Sequence, residues 1–202
     1  MTVIGITGGI ASGKSTAAKY IAQKGYKVFD ADAVCHALTA KNGKALPLIK
    51  EHFGADFVRN GELDRALMAQ AVFNDPQKRK ELENILHPLV ISECKLYMQA
   101  CADEQFCFLD IPLLFESGMD SLCDEVWLIS APIKERISRL QERSGMAESQ
   151  ARARIRSQMP EYKKRRLATH IIDTRGEVET TRAHIDRLIC NAIKRSKKGL
   201  DK

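Results

Sequence analysis

The chain has 202 residues, 44% of them hydrophobic, which suffices for one domain with insertions, and no apolar run approaches the ~20 residues of a membrane span. The six cysteines form neither a C-x-x-C pair nor a zinc-ligand spacing, which argues against a zinc site or a disulfide framework and for reduced thiols in the cytoplasm. The net charge of +6 leaves three interpretations open: a nucleic-acid surface, a clamp for a polyphosphate, or a solvated helical face.

The first predicted elements enclose a phosphate-binding pattern. Residues 2–6 are apolar and β-branched, which predicts a buried strand, and the sequence GGIASGKST at Gly8–Thr16 matches G-x-x-x-x-G-K-[ST]. Apolar residues then recur at helical spacing. In such a loop Lys14 reaches the β- and γ-phosphates and the Ser15 hydroxyl ligates Mg²⁺, whereas the alternative is a glycine-rich turn beside a solvated lysine. The predicted nucleotide-binding residues are Gly9, Ala11, Ser12, Gly13, Lys14, Ser15 and Thr16.

Two carboxylates follow the second predicted strand, Tyr26–Phe29. Asp30 and Asp32 are two residues apart, so on an extended backbone they share one face. Ligands of open α/β sheets bind at the carboxyl ends of the strands, which makes these acids candidate bases for a substrate hydroxyl. The alternative is that Asp32 caps a helix starting near Ala33, and the pair can also divide the two roles.

A long helical stretch separates the second strand from the third. Asn60-Gly61 predicts a turn within it, and Pro88 predicts a break or kink after His87. The stretch is too long for a plain crossover connection, and insertions of this kind commonly carry substrate contacts. We therefore expect a helical substrate domain at residues 33–104.

Three more strands are predicted at Phe106–Leu109, Glu125–Ile129 and His170–Asp173. Asp110 ends the first of these, and an acid in that position beside a phosphate loop holds Mg²⁺, usually through water. The alternative role for Asp110 is that of a turn or cap residue. The pattern predicts an α/β fold of the P-loop NTPase class, with three α/β/α layers and a five-stranded parallel sheet in the order 2-3-1-4-5. The nucleotide-binding core is expected to comprise residues 1–32, 105–132 and 167–202.

The positive charge is concentrated in residues 134–166, the basic segment, which holds eleven Lys or Arg against four acidic residues. Arg136, Arg139 and Arg143 recur at spacings of three and four and so share one face of a helix, and a second helix is predicted over residues 147–158. A basic helical pair between two strands predicts a mobile two-helix lid at residues 133–166. After the last predicted helix, residues 194–202 are expected to form a frayed tail.

Several short motifs along the chain are more specific than the phosphate loop, which alone indicates only an NTPase. They are DAD at 30–32, FG at 53–54, G-x-L-D-R at 61–65, HP at 87–88, D-x-P-L-L-F-E at 110–116, R-L-x-x-R at 139–143 and R-I-x-x-Q at 154–158. With these motifs the sequence resembles the dephospho-coenzyme A kinases, over nearly the full chain.

The resemblance implies ATP-dependent phosphorylation of the ribose 3′-hydroxyl of dephospho-coenzyme A, the last step of coenzyme A synthesis. It implies a nucleotide-binding core, a helical substrate domain and a two-helix lid. It also implies that Asp32 is the base, that Arg139 and Arg143 act from the lid, and that Arg65 and His87 belong to the substrate side. The expected partners are dephospho-coenzyme A, ATP and Mg²⁺, with neither nucleic acid nor membrane, and the expected state is a monomer or weak homo-oligomer.

Other functions compete with this interpretation. Another P-loop kinase, acting on a nucleoside monophosphate or a metabolite, is the nearest alternative. A GTPase-type switch needs N-K-x-D after the third strand, which the sequence lacks, and the D-x-x-G at Asp173–Gly176 comes too late in the chain. A nucleic-acid binder is supported only by the basic segment. Within the resemblance, Thr174 stands where the family often has asparagine, which alters the base contact if that asparagine touches adenine.

Overall fold

A computed structural model of the chain describes residues 1–73 and 75–200, with side chains as far as Arg195 in the last helix. The chain divides into two compact units, one of Met1–Val28 with Glu104–Lys202 and one of Phe29–Asp103. The strands are β1 (Thr2–Thr7), β2 (Lys27–Asp30), β3 (Val58–Arg59), β4 (Glu62–Leu63), β5 (Phe106–Asp110), β6 (Glu125–Ser130) and β7 (His170–Asp173). The helices are α1 (Lys14–Gln23), α2 (Ala31–Thr39), α3 (Leu46–Phe53), α4 (Arg65–Phe73), α5 (Pro76–Ala100), α6 (Ile133–Ser144), α7 (Glu148–Arg156), α8 (Glu161–Leu167) and α9 (Val178–Leu200).

The parallel sheet has the strand order β2-β5-β1-β6-β7. Counted over the strands of this sheet, the order is 2-3-1-4-5, so the predicted topology is confirmed. Ile6 of β1 is opposite Asp110 of β5 on one side and opposite Trp127 of β6 on the other. The register therefore brings Asp110 to the edge of the sheet at which β1 ends and the phosphate-binding pattern begins.

The two faces of the sheet are covered by different elements. Alternate residues of β1, β5, β6 and β7 point to one face and pack with apolar residues of α1 and α9, forming a core around Trp127 and Phe108. On the opposite face the side chains of Leu114 and Cys123 lie close to β1. A Cβ on Gly5 would be only 2.7 Å from Cys123 Sγ and 2.8 Å from Leu114 Cδ2. With α8 packed on β6 on that side, the first unit has the expected α/β/α layers.

The described residues of the second unit are mainly helical, with the end of β2 and the β3–β4 hairpin as its strand residues. Asn60 and Gly61 form the turn between β3 and β4 with φ angles of 53° and 80°, so the predicted turn is confirmed. Of the predicted break or kink after His87, the break is wrong, because α5 runs through Pro88. Proline removes one helical hydrogen bond, but α5 is held on both sides of it by buried Ile85 and Val90 and packs against α2, α3 and α4.

The basic segment contains three helices instead of the predicted two. Pro160 ends the connection after α7 and begins α8, because the residue before a proline disfavours helical backbone. The expected frayed tail is also helical as far as Leu200, where α9 ends, and residues 201–202 lie outside the described residues. Within the described part of the chain, no helix is both long and apolar enough to cross a membrane.

Candidate active site

The phosphate-binding pattern forms a tight loop between β1 and α1. Ala11 and Gly13 have positive φ angles of 60° and 91°, and Gly13 is the N-cap of α1. Backbone with left-handed residues of this kind forms concave nests of N–H groups that bind anions. The N–H groups of Lys14 and Ser15, at the start of α1, also lack carbonyl partners within the helix, whereas those of Thr16 and Ala17 donate to the Gly13 carbonyl. The loop is therefore built to receive an anion.

Three consecutive carbonyl groups of the loop accept hydrogen bonds from side chains distant in sequence. The Ile10 carbonyl accepts from Arg136 Nε at 2.8 Å and the Ala11 carbonyl from Arg139 Nη1 at 3.3 Å. The Ser12 carbonyl accepts from Thr174 Oγ1 at 2.7 Å. Because their carbonyls are occupied in this way, the loop residues keep a fixed orientation of the peptide groups.

Lys14 and Asp110 form an ion pair at the base of the loop. Lys14 Nζ lies 2.6 Å from Asp110 Oδ1, and the side chains are only 12% and 9% exposed. Ser15 and Thr16, in the first turn of α1, are exposed. The structure thus brings together the lysine and the acid that the sequence predicted, and Ser15 and Thr16 follow the lysine directly in the chain.

A magnesium ion fits this donor set. Among the described residues, no three or more His, Cys, Asp or Glu side chains are grouped as a metal cluster. Mg²⁺ in nucleotide sites is held by one or two protein oxygens together with phosphates and waters, so such a cluster is not required. The exposed Ser15 hydroxyl and the Asp110 carboxylate are oxygen donors of this type.

A cavity of about 200 Å³ lies beside the loop. Arg139 lines it and donates from Nη2 to the Thr174 carbonyl at 2.7 Å and to Glu135 at 3.2 Å. Thr174 is only 7% exposed and its hydroxyl is bonded to the loop, so this side chain supports the loop backbone. The cavity is lined by Gly13, Thr16, Arg139, Thr174, Gly176, Val178 and Thr181.

The three arginines of α6 have different environments. Arg136 is only 5% exposed and pairs with Glu161, its Nη1 lying 3.0 Å from Oε2. Burial lowers the pKa of Arg136, and the Glu161 charge opposes that shift. Arg139 reaches the loop, whereas Arg143 is exposed on the last turn of α6. The three arginines share one helical face as predicted, but a solvated face is wrong for Arg136, because the phosphate-binding loop covers the start of this helix.

In the second unit the two acids of the DAD motif have separate positions. Asp30 is the N-cap of α2 and its Oδ1 accepts a hydrogen bond from the Ala33 N–H at 2.9 Å. Asp32 lies inside the first turn of that helix and is exposed. The hypothesis that Asp32 is the cap is therefore wrong, and its carboxylate remains the candidate for chemistry.

Arg65 and Asp32 lie near the same thiol. Burial raises the pKa of Cys35, the negative charge of Asp32 raises it further, and Arg65 opposes both. Arg65 donates to Thr39 Oγ1 at 2.9 Å and borders a hollow of about 460 Å³ beside the β3–β4 hairpin. His87 is half-buried in α5.

Two residues of the loop's surroundings were missed by the sequence analysis. Gln158 accepts the Ile10 N–H at 2.8 Å, and Glu161 pairs with Arg136 and accepts from the Ser130 hydroxyl. Gln158 ends the R-I-x-x-Q motif, which marked it without indicating a partner. The sequence around Glu161 carries no comparable signal.

Comparison with known proteins finds relatives over almost the whole chain. The family model described as CoaE: Dephospho-CoA kinase matches residues 2–180. A dephospho-CoA kinase of Staphylococcus saprophyticus is 41% identical over 190 residues, covering 93% of this chain and 92% of that protein. The crystal structure of TT1252 from Thermus thermophilus has a TM-score of 0.77 at 38% identity, covering 94% of this chain and 97% of that one. A dephospho-CoA kinase from Campylobacter jejuni has a TM-score of 0.73 at 28% identity, covering 96% and 98%.

Proposed function

The chain belongs to the dephospho-coenzyme A kinase family, and from this premise we propose how its residues transfer the γ-phosphoryl group of ATP to the ribose 3′-hydroxyl of dephospho-coenzyme A. The family's activity is the final step of coenzyme A biosynthesis. The products are coenzyme A and ADP. The observation that carries the residue-level proposal is the buried Lys14–Asp110 pair at the start of a loop with left-handed backbone at Ala11 and Gly13.

ATP binds with its phosphates on the loop and its base in the adjoining cavity. The N–H groups at the start of α1 and the Lys14 ammonium supply positive charge to the phosphates. Arg139, at the border of the cavity, is within reach of the same ligand. Ser15 and Asp110 would hold a Mg²⁺ ion, which would neutralise phosphate charge.

The acceptor hydroxyl loses its proton to Asp32 as its oxygen attacks the γ-phosphorus. A bond from the 3′-oxygen to phosphorus forms, the bond from phosphorus to the β,γ-bridging oxygen breaks, and ADP leaves with that electron pair. Two observations support Asp32 as the base. Its carboxylate is exposed, and the neighbouring Asp30 already caps α2. Lys14, Arg139 and Arg143 stabilise the charge that develops on the transferred group.

The proposal also assigns a function to each segment of the chain. Residues 33–104 bind dephospho-coenzyme A, with Arg65 and His87 among the contacts, and residues 133–166 act as the lid. The six cysteines are free thiols, which agrees with a cytoplasmic location. A monomer or weak homo-oligomer is expected, and light scattering after size-exclusion chromatography measures it.

The substrate is tested by an ADP-release assay that sets dephospho-coenzyme A against a panel of nucleosides and nucleoside monophosphates. Among the acceptors tested, only dephospho-coenzyme A is expected to be phosphorylated. ATP is expected to be preferred to GTP as the phosphoryl donor. Faster turnover of a nucleoside monophosphate would instead support the nearest alternative, another small-molecule kinase of the same fold.

The base is tested by comparing Asp32→Asn with Asp30→Asn. Asparagine keeps the shape of aspartate but does not accept the proton, so kcat of Asp32→Asn is expected to fall by about 10²–10⁴-fold with ATP affinity little changed. Asp30→Asn retains a capping side chain and is expected to keep most of the rate. A larger loss of kcat in Asp30→Asn would reverse the assignment within the pair.

A further inference from the structure

Ile10 of the phosphate-binding loop has both of its backbone polar groups bound by side chains of the basic segment. Its N–H donates to Gln158 Oε1 at 2.8 Å, and its carbonyl accepts from Arg136 Nε at 2.8 Å. The Ile10 side chain packs against an apolar cluster formed by α6 and α7. Helices α6 and α7 and the residues after them therefore hold this part of the loop by its backbone and its side chain together.

Arg136 is itself fixed, and its Nη2 donates to Gln158 Oε1 at 3.5 Å. Arg136 is 5% exposed and pairs with Glu161, which also accepts a hydrogen bond from Ser130 at the end of β6. The guanidinium lies directly on the loop, because a Cβ added to Gly9 would be 2.3 Å from Arg136 Nη2. A guanidinium enclosed in this way, with its donors used by Ile10 and Glu161, is not placed to travel to a phosphate.

The backbone next to Ile10 needs external support. Ala11 has a φ of 60°, in the left-handed region that is unfavourable for a residue with a side chain. Such a conformation persists only where the surrounding structure holds it. The hydrogen bonds to the N–H and C=O of Ile10 fix the orientation of the peptide groups that lead into Ala11.

We propose that Gln158 and Arg136 are positioning residues that hold the phosphate-binding loop in its anion-binding conformation. They act through Ile10 and do not touch the reactants. The inference rests on the proposed function, since it takes the ligand of this loop to be the ATP phosphates. It assigns these two residues of the basic segment to the shape of the loop, and it leaves direct charge contacts to Lys14, Arg139 and Arg143.

Gln158 offers the cleaner test, because removing Arg136 also leaves Glu161 without its partner. Gln158→Leu keeps the side-chain size but has no acceptor for the Ile10 N–H, Gln158→Asn draws the acceptor back by one methylene, and Gln158→Glu retains an acceptor beside Arg136. Gln141→Leu, at an exposed position of α6, is the matched control. For each variant we would measure the Kd of ATP, kcat, the KM of each substrate and the melting temperature.

Loss of the acceptor is expected to raise the Kd and KM of ATP in Gln158→Leu and Gln158→Asn, because the part-buried Ile10 N–H is left unpaired. The expected factor is about 5- to 150-fold, the upper end of which applies to a fully buried donor. The KM of dephospho-coenzyme A and the melting temperature should stay near those of the Gln141→Leu control. Gln158→Glu should restore ATP affinity to within about threefold of the unmodified chain, a change small against one hydrogen bond.

Three results would overturn the proposal. ATP affinity that is unchanged in both Gln158→Leu and Gln158→Asn means that the loop keeps its shape without Gln158. Equal impairment in Gln158→Glu means that the amide as a whole, and not the acceptor, is needed. A fall in melting temperature with ATP affinity preserved makes Gln158 a stability residue only. Failure of the proposed function looks different, because the unmodified chain itself would then fail to bind ATP or to phosphorylate dephospho-coenzyme A.

Discussion

Replacing Asp110 by asparagine tests the buried ion pair at the base of the loop. The substitution removes the negative charge next to Lys14 and keeps a side chain of the same shape. Because the two side chains are 12% and 9% exposed, Lys14 would be left as a charge largely shielded from water with no carboxylate at 2.6 Å. We expect the chain without nucleotide to lose stability and to regain part of it when phosphate is supplied.

The size of the effect follows from burial. Breaking a buried ion pair by removing one partner costs about 3–5 kcal/mol, and we expect the lower end because asparagine retains an acceptor oxygen. For a chain of this size, 3 kcal/mol corresponds to a fall in Tm of about 6–12 °C. Lys44 and Glu93 provide the control, because their atoms are also 2.6 Å apart but the side chains are 70% and 30% exposed. Glu93→Gln should cost about 0–1 kcal/mol.

The assay is thermal melting of Asp110→Asn, Glu93→Gln and the unmodified chain, with and without ATP, in the presence of EDTA. Chelation excludes any contribution from a metal held by Asp110. ATP should raise the Tm of Asp110→Asn by more than it raises the Tm of the other two proteins. The reason is that the phosphates supply the negatively charged partner that Lys14 has lost in this variant. Equal losses of stability in the two variants, or an equal response to ATP in all three proteins, would refute the reasoning.

Three further predictions concern charged or titratable residues of the first unit. Lys14→Ala should lower kcat by about 10²–10³-fold or more with the fold retained, as for other groups that stabilise developing charge, and near-normal kcat would exclude that role. Arg143→Ala should lower kcat without a change in Tm because the side chain is exposed, whereas Arg139→Ala should lower both because Arg139 bonds Ala11 and Thr174; unchanged kinetics in both would make them a solvated face. Burial lowers the pKa of His184 below its ordinary 6.5, so the unfolded chain binds more protons there. Stability should therefore fall as the pH drops below about 6.5, and His184→Gln should show a smaller loss in pH-dependent unfolding experiments.

Local patterns in the sequence were sufficient for the sheet and the loop. Each strand of the sheet contains a short apolar run, and the loop is a contiguous motif, so no distant residue was needed to recognise them. Asp30 and Asp32 could not be separated in the same way, because both are good capping residues in the right place. The choice depends on backbone: Asp30 has extended dihedrals of −106° and 105°, which a cap requires, and Asp32 is already helical.

Where the sequence analysis failed, a long-range contact outweighed a local rule. Pro88 is a helix breaker by local chemistry, but packing of α5 against three other helices holds the helix on both sides of it. Arg136 shares a helical face with Arg143, and spacing alone does not say that the loop covers the first turn of α6 and leaves the last turn open. The partners of Arg136 are 126 residues earlier, at Ile10, and 25 residues later, at Glu161.

Two glycines of the loop are needed for different reasons, and one of those reasons lies outside the motif. Gly13 is a fixed letter of the phosphate-binding pattern, and its φ of 91° explains why a residue without a side chain is needed there. Gly9 is a free position of the pattern, yet a Cβ there would collide with the Arg136 guanidinium. The conformation of the phosphate site thus depends on residues that no phosphate touches. A loss of ATP affinity after a substitution in the basic segment therefore does not by itself identify a phosphate contact. The loss has to be separated into a direct part, expected for the exposed Arg143, and a part transmitted through Ile10, expected for Gln158.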